Sequence, residues 1–116
     1  MAQFFAFLKA LGGLHDAIVQ SFTWEPSAQK VEFRFEDIYS NFCGLPQYPG
    51  RQPAAIVLHG VTEMTMDVAT QGRLRIFEFL PKEGTSDTVS VTFSPNGRID
   101  LRFKDAEFPE CRLIVQ

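Results

Sequence analysis

The sequence predicts a mainly β (α+β) domain: one short N-terminal helix, then seven or eight antiparallel strands folded as a sandwich or a bent half-barrel. Three observations predict this class. Apolar residues follow a helical period only near the start, at Phe4, Phe7, Leu8 and Leu11. From Ala17 onward the period falls to two. Clusters of Gly, Pro, Asn and Ser then cut the chain into short apolar runs.

The helix rests on that i, i+3, i+4, i+7 stripe, with Phe5 lying off it and available to a second contact. Gly12-Gly13 ends it. A left-handed Gly13 at C′ places Leu14 at C″, able to pack back on Leu8. About three turns of helix are marginal alone, so this one must dock on something else. Next, Ile18, Gln20, Phe22 and Trp24 alternate with Ala17, Val19, Ser21 and Thr23, a strand with both faces partly covered. EPSAQ then turns the chain into KVEFRFED, where Val31, Phe33 and Phe35 form one face and Glu32, Arg34 and Glu36 the other. These two strands make a hairpin.

The stretch SNFCGLPQYPGRQP, Ser40 to Pro53, contains two glycines and three prolines and reads as an irregular loop. AAIVLHGV is a buried strand, TEMTMDVA turns Met64, Met66 and Val68 inward, and Gly60 between them marks a bulge or bend. GRLRIFEFL sends Leu74, Ile76, Phe77 and Phe79 inward, with a slip in parity that calls for a bulge. After the turn PKEGTSD, TVSVTF and RIDLRF pair across SPNG. There Pro95 suits position i+1 of a type I turn and Gly97 the left-handed position that follows. CRLIV supplies a last short strand. No repeat, low-complexity run or second domain interrupts residues 1–116, so a single globular domain is expected.

Composition narrows the function classes. The chain has 116 residues, 45% of them hydrophobic and 22% charged, which is globular composition. Twelve phenylalanines dominate the apolar set, and burying each contributes about 1.5–3 kcal/mol. A net charge of −3 lacks the electropositive footprint of a nucleic-acid binder. The N-terminal MAQFFAFLKALGG has no basic leader region, and no run approaches the roughly 20 apolar residues of a membrane span. A cytoplasmic location away from the membrane is expected. Cys43 and Cys111 are far apart and outside any paired-cysteine motif, which favours free thiols and leaves a disulfide open.

Candidate chemistry is thin. His15-Asp16 sits behind the double glycine, where neighbours entering an extended strand point to opposite faces. A catalytic Asp orients its His directly, so the pair is expected to serve the helix-to-strand junction by satisfying orphan backbone groups. The same dipeptide occurs in helical metal phosphohydrolases, which need several further ligands, and only His59 remains here. Cys43 with His59 or His15 would make a thiol nucleophile and base, yet no electropositive niche marks them. No Gly-x-Ser-x-Gly elbow and no metal-ligand spacing occur. Arg73, Arg75, Arg98, Arg102 and Lys104 alternate with acids, as cross-strand pairs on a solvated face do. The loop from Asn41 to Pro53 is long for a compact domain and offers Phe42, Leu45, Tyr48, Arg51 and Gln52 as partner-binding candidates.

The helix, GGLHDA, the tryptophan, VEFRFEDI and LHGVTEM together resemble a family of small uncharacterised bacterial β-rich proteins with a Leu-His-Asp-Ala opening. Some of these are similar to immunity proteins of polymorphic toxin systems. The resemblance covers the first two-thirds of the chain and rests on short motifs. It implies a non-enzymatic bacterial protein that binds and masks a toxin domain. The expectation is therefore a protein-binding domain using the 41–53 loop and a sheet edge, without catalytic residues, cofactor or metal. The alternatives are a binder of a small apolar ligand in a Phe-rich half-barrel and a thiol enzyme at Cys43.

Overall fold

A computed structural model describes residues 1–69 and 72–113. Helix α1 (Ala2–Ala10) buries Phe4, Phe7 and Leu8, the stripe expected of it. It closes one residue earlier than the double glycine suggests: Leu11 caps it, and Gly12 at φ +64 is the first left-handed residue. Gly13 and Leu14 follow with positive φ. A Cβ on Gly13 would sit 3.1 Å from the Leu80 side chain, so glycine here answers both backbone and space.

Among the described residues eight strands follow: β1 (Ile18–Glu25), β2 (Lys30–Phe35), β3 (Ala54–His59), β4 (Glu63–Asp67), β5 (Leu74–Pro81), β6 (Thr88–Ser94), β7 (Arg98–Arg102) and β8 (Asp105–Glu107). Every pairing is antiparallel, and the order is β4-β7-β6-β5-β1-β2-β3-β8. One continuous open sheet forms, so of the two expected architectures the bent half-barrel describes it and the two-sheet sandwich does not.

The bend is at the middle of that order. Among the described residues, strands β5 and β1 pair only at Ile18 with Arg75 and at Val19 with Leu74. Asp16 N–H to Ile76 O and Ile76 N–H to Ala17 O, at 2.9 and 2.8 Å, extend this seam into the helix junction. On either side, four strands pair fully and fold toward one another. Their inner faces meet at Phe33 and Phe79, whose rings lie edge-on with centroids 5.3 Å apart. Val31, Phe33 and Phe35 of β2 are fully buried, and Ile76, Phe79, Val89, Val91 and Leu101 face them. Helix α1 closes one part of this concavity, with Phe4 edge-on to Phe79 and Phe103. Phe108, from the segment after β8, covers Phe4 and Phe7.

Three departures from the sequence expectations have physical reasons. First, β1 carries a register shift between Val19 and Ser21, which breaks simple alternation and turns both Val19 and Phe22 inward. Second, the slip expected in β5 is present between Ile76 and Glu78, but it throws Phe77 outward, 48% exposed, where an inward ring was expected. Third, the eighth strand is Asp105–Glu107, paired to β3, and Cys111–Leu113 of CRLIV is not strand. Ile114 and Val115 of that run lie outside the described residues. The β6–β7 hairpin forms as expected, Phe93 N–H donating to Gly97 O at 3.0 Å, although the Ser94–Pro95 bond is cis. No helix among the described residues is long and apolar enough to cross a membrane.

Candidate binding cleft

The long loop is built around one carboxylate. Asp37, just past β2, accepts the backbone N–H of Tyr39 (3.0 Å) and Gln52 (3.1 Å) on Oδ1. Its Oδ2 accepts the Tyr48 hydroxyl at 2.6 Å. That bond to a carboxylate pushes the Tyr48 phenol up to about 12. Burial pushes the Tyr39 phenol up as well, although Arg112 N–H donates to its oxygen at 2.7 Å. Arg51 Nε donates to Glu36 O at 3.3 Å and Gln52 Nε2 to Pro53 O at 3.1 Å. Phe42 and Tyr48 pack against the core. Of the five loop residues singled out from sequence, four are thus held by the protein's own groups. Only Leu45, 49% exposed, projects as an uncommitted apolar side chain.

At the helix-to-strand junction, His15 Nδ1 lies 2.8 Å from Phe77 O and must carry the proton, since a carbonyl only accepts. Its Nε2 is 3.7 Å from Asp16 Oδ1, and Arg75 reaches the same oxygen at 3.7 Å. The two side chains therefore share a side, against the expectation from strand geometry. The reason is that Asp16 is not extended but left-handed, at φ +69. His59 Nε2 donates to Glu107 at 2.8 Å, tying β3 to β8. With both imidazoles so engaged, the exposed thiol of Cys43 has no base assembled on it; Cys111 is also free and exposed. Among the described residues no three His, Cys, Asp or Glu side chains converge on one point.

The outer face of β6 and β7 carries the expected cross-strand charges. Asp100 accepts from Arg98 Nε (2.9 Å) and Lys82 Nζ (3.2 Å), and Arg102 reaches Asp87 (3.0 Å) and Glu63 (3.2 Å). Burial pushes the Asp100 carboxyl up, but the hydrogen bonds from Arg98, Ser90 and Lys82 together hold it below the usual carboxylate range. The hydrogen bond from Arg102 does the same for Asp87. Every carboxylate in this network is neutralised by a neighbour, as in a solvated structural face.

An apolar cleft lies where the two halves of the sheet fail to meet. Val19, Phe22 and Phe33 line it from β1 and β2; Met66 and Val68, Leu74, Phe93 and Ile99 line it from β4 to β7. Its volume is about 180 Å³. Phe33, Phe93 and Ile99 form a buried floor, whereas Met66 on the rim is 49% exposed. Trp24 stands two residues beyond Phe22 on the same face of β1 and is 51% exposed. Sequence reading turned Met66 inward correctly but missed that its neighbours leave it open. Met64-Thr-Met66 places flexible apolar residues on a short edge strand, but nothing in the sequence marks the β1 bulge opposite which they stay open.

No protein-family model matches the chain, and no curated protein matches it significantly.

Proposed function

We propose that the chain is a non-enzymatic protein-binding domain that receives an apolar part of its partner in the cleft between β1 and β4. One observation carries this reading: among the described residues a cleft lined by eight apolar side chains stays open, with Met66 and Trp24 standing half exposed beside it. Large apolar side chains grouped at an opening mark interaction sites far more often than chance exposure does. The 41–53 loop, tied to Asp37 by the Tyr48 hydroxyl and the Gln52 N–H and to Glu36 by Arg51, becomes a brace, with Leu45 its one further candidate contact. The sheet edge expected as contact surface is retained. A bacterial, cytoplasmic immunity protein that masks a toxin domain is the most specific form of this reading.

The small-ligand alternative would use the same cleft. Pockets for such ligands usually run to roughly 300–1,000 Å³, and about 180 Å³ falls short of that. Side chains of a partner suit it better. Selection of a displayed random-peptide library on the native protein tests the reading. Binders are expected to lose at least tenfold in affinity on Met66→Glu, while the melting temperature stays within a few degrees. Binders unaffected by Met66→Glu but abolished by Leu45→Glu would move the site to the loop and overturn it.

A further inference from the structure

We infer that the occupant of the cleft is an extended segment of a partner protein, added as a strand to the free edge of β1, with apolar side chains inward and Lys or Arg outward. The inference rests on the cleft being the binding site and specifies what enters it.

The backbone supports strand addition. β1 pairs with β2 along most of its length, but with β5 only at Ile18 and Val19. Among the described residues, the stretch from Ser21 to Glu25 is therefore paired on one side alone. Among the described residues, β4 is the terminal strand of the sheet, paired only to β7. Two strand edges thus flank the cleft, and an edge with unspent N–H and C=O groups is a template for another strand. Proteins commonly blunt such edges with Lys or Pro. Neither β1 (IVQSFTWE) nor β4 (EMTMD) contains a Lys, Arg or Pro.

Side-chain alternation then dictates the partner's chemistry. Phe22 and Trp24 of β1 and Met64 and Met66 of β4 face inward, so alternate positions of an added strand meet an apolar surface. The outward positions of the same two strands carry Thr23, Glu25, Glu63, Thr65 and Asp67. Glu25 has Lys30 at 3.9 Å and Glu63 has Arg102 at 3.2 Å, both exposed pairs. Asp67 lies opposite Arg98 in register, yet Arg98 Nε donates to Asp100 at 2.9 Å, and Asp67 joins no ion pair among the described residues. Neither strand contains a Lys or Arg, Glu25 and Glu63 meet cations from neighbouring strands, and Asp67 is the carboxylate that a strand with basic outward residues complements.

The test uses capped synthetic heptapeptides on the full chain, with Trp24, its only tryptophan, as reporter. Alternating Lys-Val is expected to give a saturable blue shift of Trp24 emission and to slow amide exchange at residues 21–25 at least tenfold. The matched Glu-Val peptide, and Lys-Val with a central Pro, are expected to bind at least tenfold more weakly. Glu-Val binding as well as Lys-Val overturns the charge assignment. Binding that is lost on Met66→Glu but leaves exchange at 21–25 unchanged overturns strand addition while the cleft reading stands. Response to toluene, with none to any peptide, overturns both and assigns the cleft to a small apolar molecule.

Discussion

The imidazole of His15 donates through Nδ1 to the carbonyl oxygen of Phe77, 2.8 Å away, and Phe77 is the residue that bulges out of β5. A bulge leaves a backbone group outside the ladder, and the histidine supplies the missing partner from the helix junction. The His15 ring also lies edge-on to Phe77, centroids 5.6 Å apart. His15→Ala is expected to lower stability by about 0.5–1.5 kcal/mol, the net worth of one hydrogen bond, without changing peptide binding at the cleft. Urea denaturation with an unchanged m-value checks the first part. A loss of binding at constant stability would instead place His15 among the functional residues.

Asp16 makes a separate prediction, because its backbone and not its carboxylate is the demanding feature. At φ +69 a side chain other than Asn or Asp is strained, by roughly 1 kcal/mol or more for a β-branched residue. Its contacts with His15 and Arg75, both at 3.7 Å and exposed, contribute little. Asp16→Gly is therefore expected to be neutral or slightly stabilising and Asp16→Val clearly destabilising. Equal losses in both would mean that the carboxylate matters after all.

These two residues show what the sequence made legible. Helix α1, the β2 face of Val31, Phe33 and Phe35, and the β6–β7 hairpin follow from local period and turn chemistry, and all three are present. The single bent sheet does not follow locally, because it depends on two residue pairs between β1 and β5, Ile18 with Arg75 and Val19 with Leu74, 57 and 55 positions apart. The cleft was illegible for the same reason. Its lining alternates correctly within each strand, and only the failure of β1 and β4 to meet makes it a site. Alternation also misled at Asp16 and Phe77, where one left-handed residue and one bulge reverse the direction of a side chain.

The brace at Asp37 is readable by titration. Both tyrosines are held above the ordinary phenol value, Tyr39 mainly by burial and Tyr48, at about 12, mainly by its bond to Asp37. A group whose folded value is raised contributes stability that is whole below its unfolded value, near 10, and is lost as pH rises through the folded one. Ultraviolet difference titration of the native protein is expected to show no tyrosinate near pH 10. Asp37→Asn should bring one tyrosine back toward 10 and leave the other raised. Two tyrosines titrating near 10 in the unmodified protein would contradict the geometry of the loop.

At the acid end the sign reverses. Asp100 and Asp87 are depressed by their partners, so their contribution is present above the unfolded carboxylate value of about 3.9 and disappears as pH falls through their lower folded values. Asp100→Asn is expected to lower stability at neutral pH and to flatten its fall below about pH 4. The comparison is a series of denaturation curves from neutral to acid pH. A variant whose acid profile runs parallel to that of the parent would show that Asp100 is not a significant part of the acid response.

The cleft has a floor and a rim, and they are expected to separate energetically. Phe33 is fully buried, packed between Phe22, Phe35 and Phe79 with centroids 5.2–6.1 Å away. Phe33→Ala should therefore cost about 3–5 kcal/mol, the usual range for deleting a core ring. Met66 is half exposed and rests on the floor from one side. Met66→Ala removes contacts that are only partly buried, and a loss of about 1 kcal/mol or less is expected. The two changes alter the same cavity, so a purely structural cleft would lose stability at both positions in proportion to the area removed. A binding site instead tolerates the rim substitution in the free protein and registers it only when a partner is present. Thermal melts of Met66→Ala with and without a selected peptide decide between these. The expected result is a near-parental melt alone and a smaller peptide-induced rise, because less apolar surface is left for the peptide to cover.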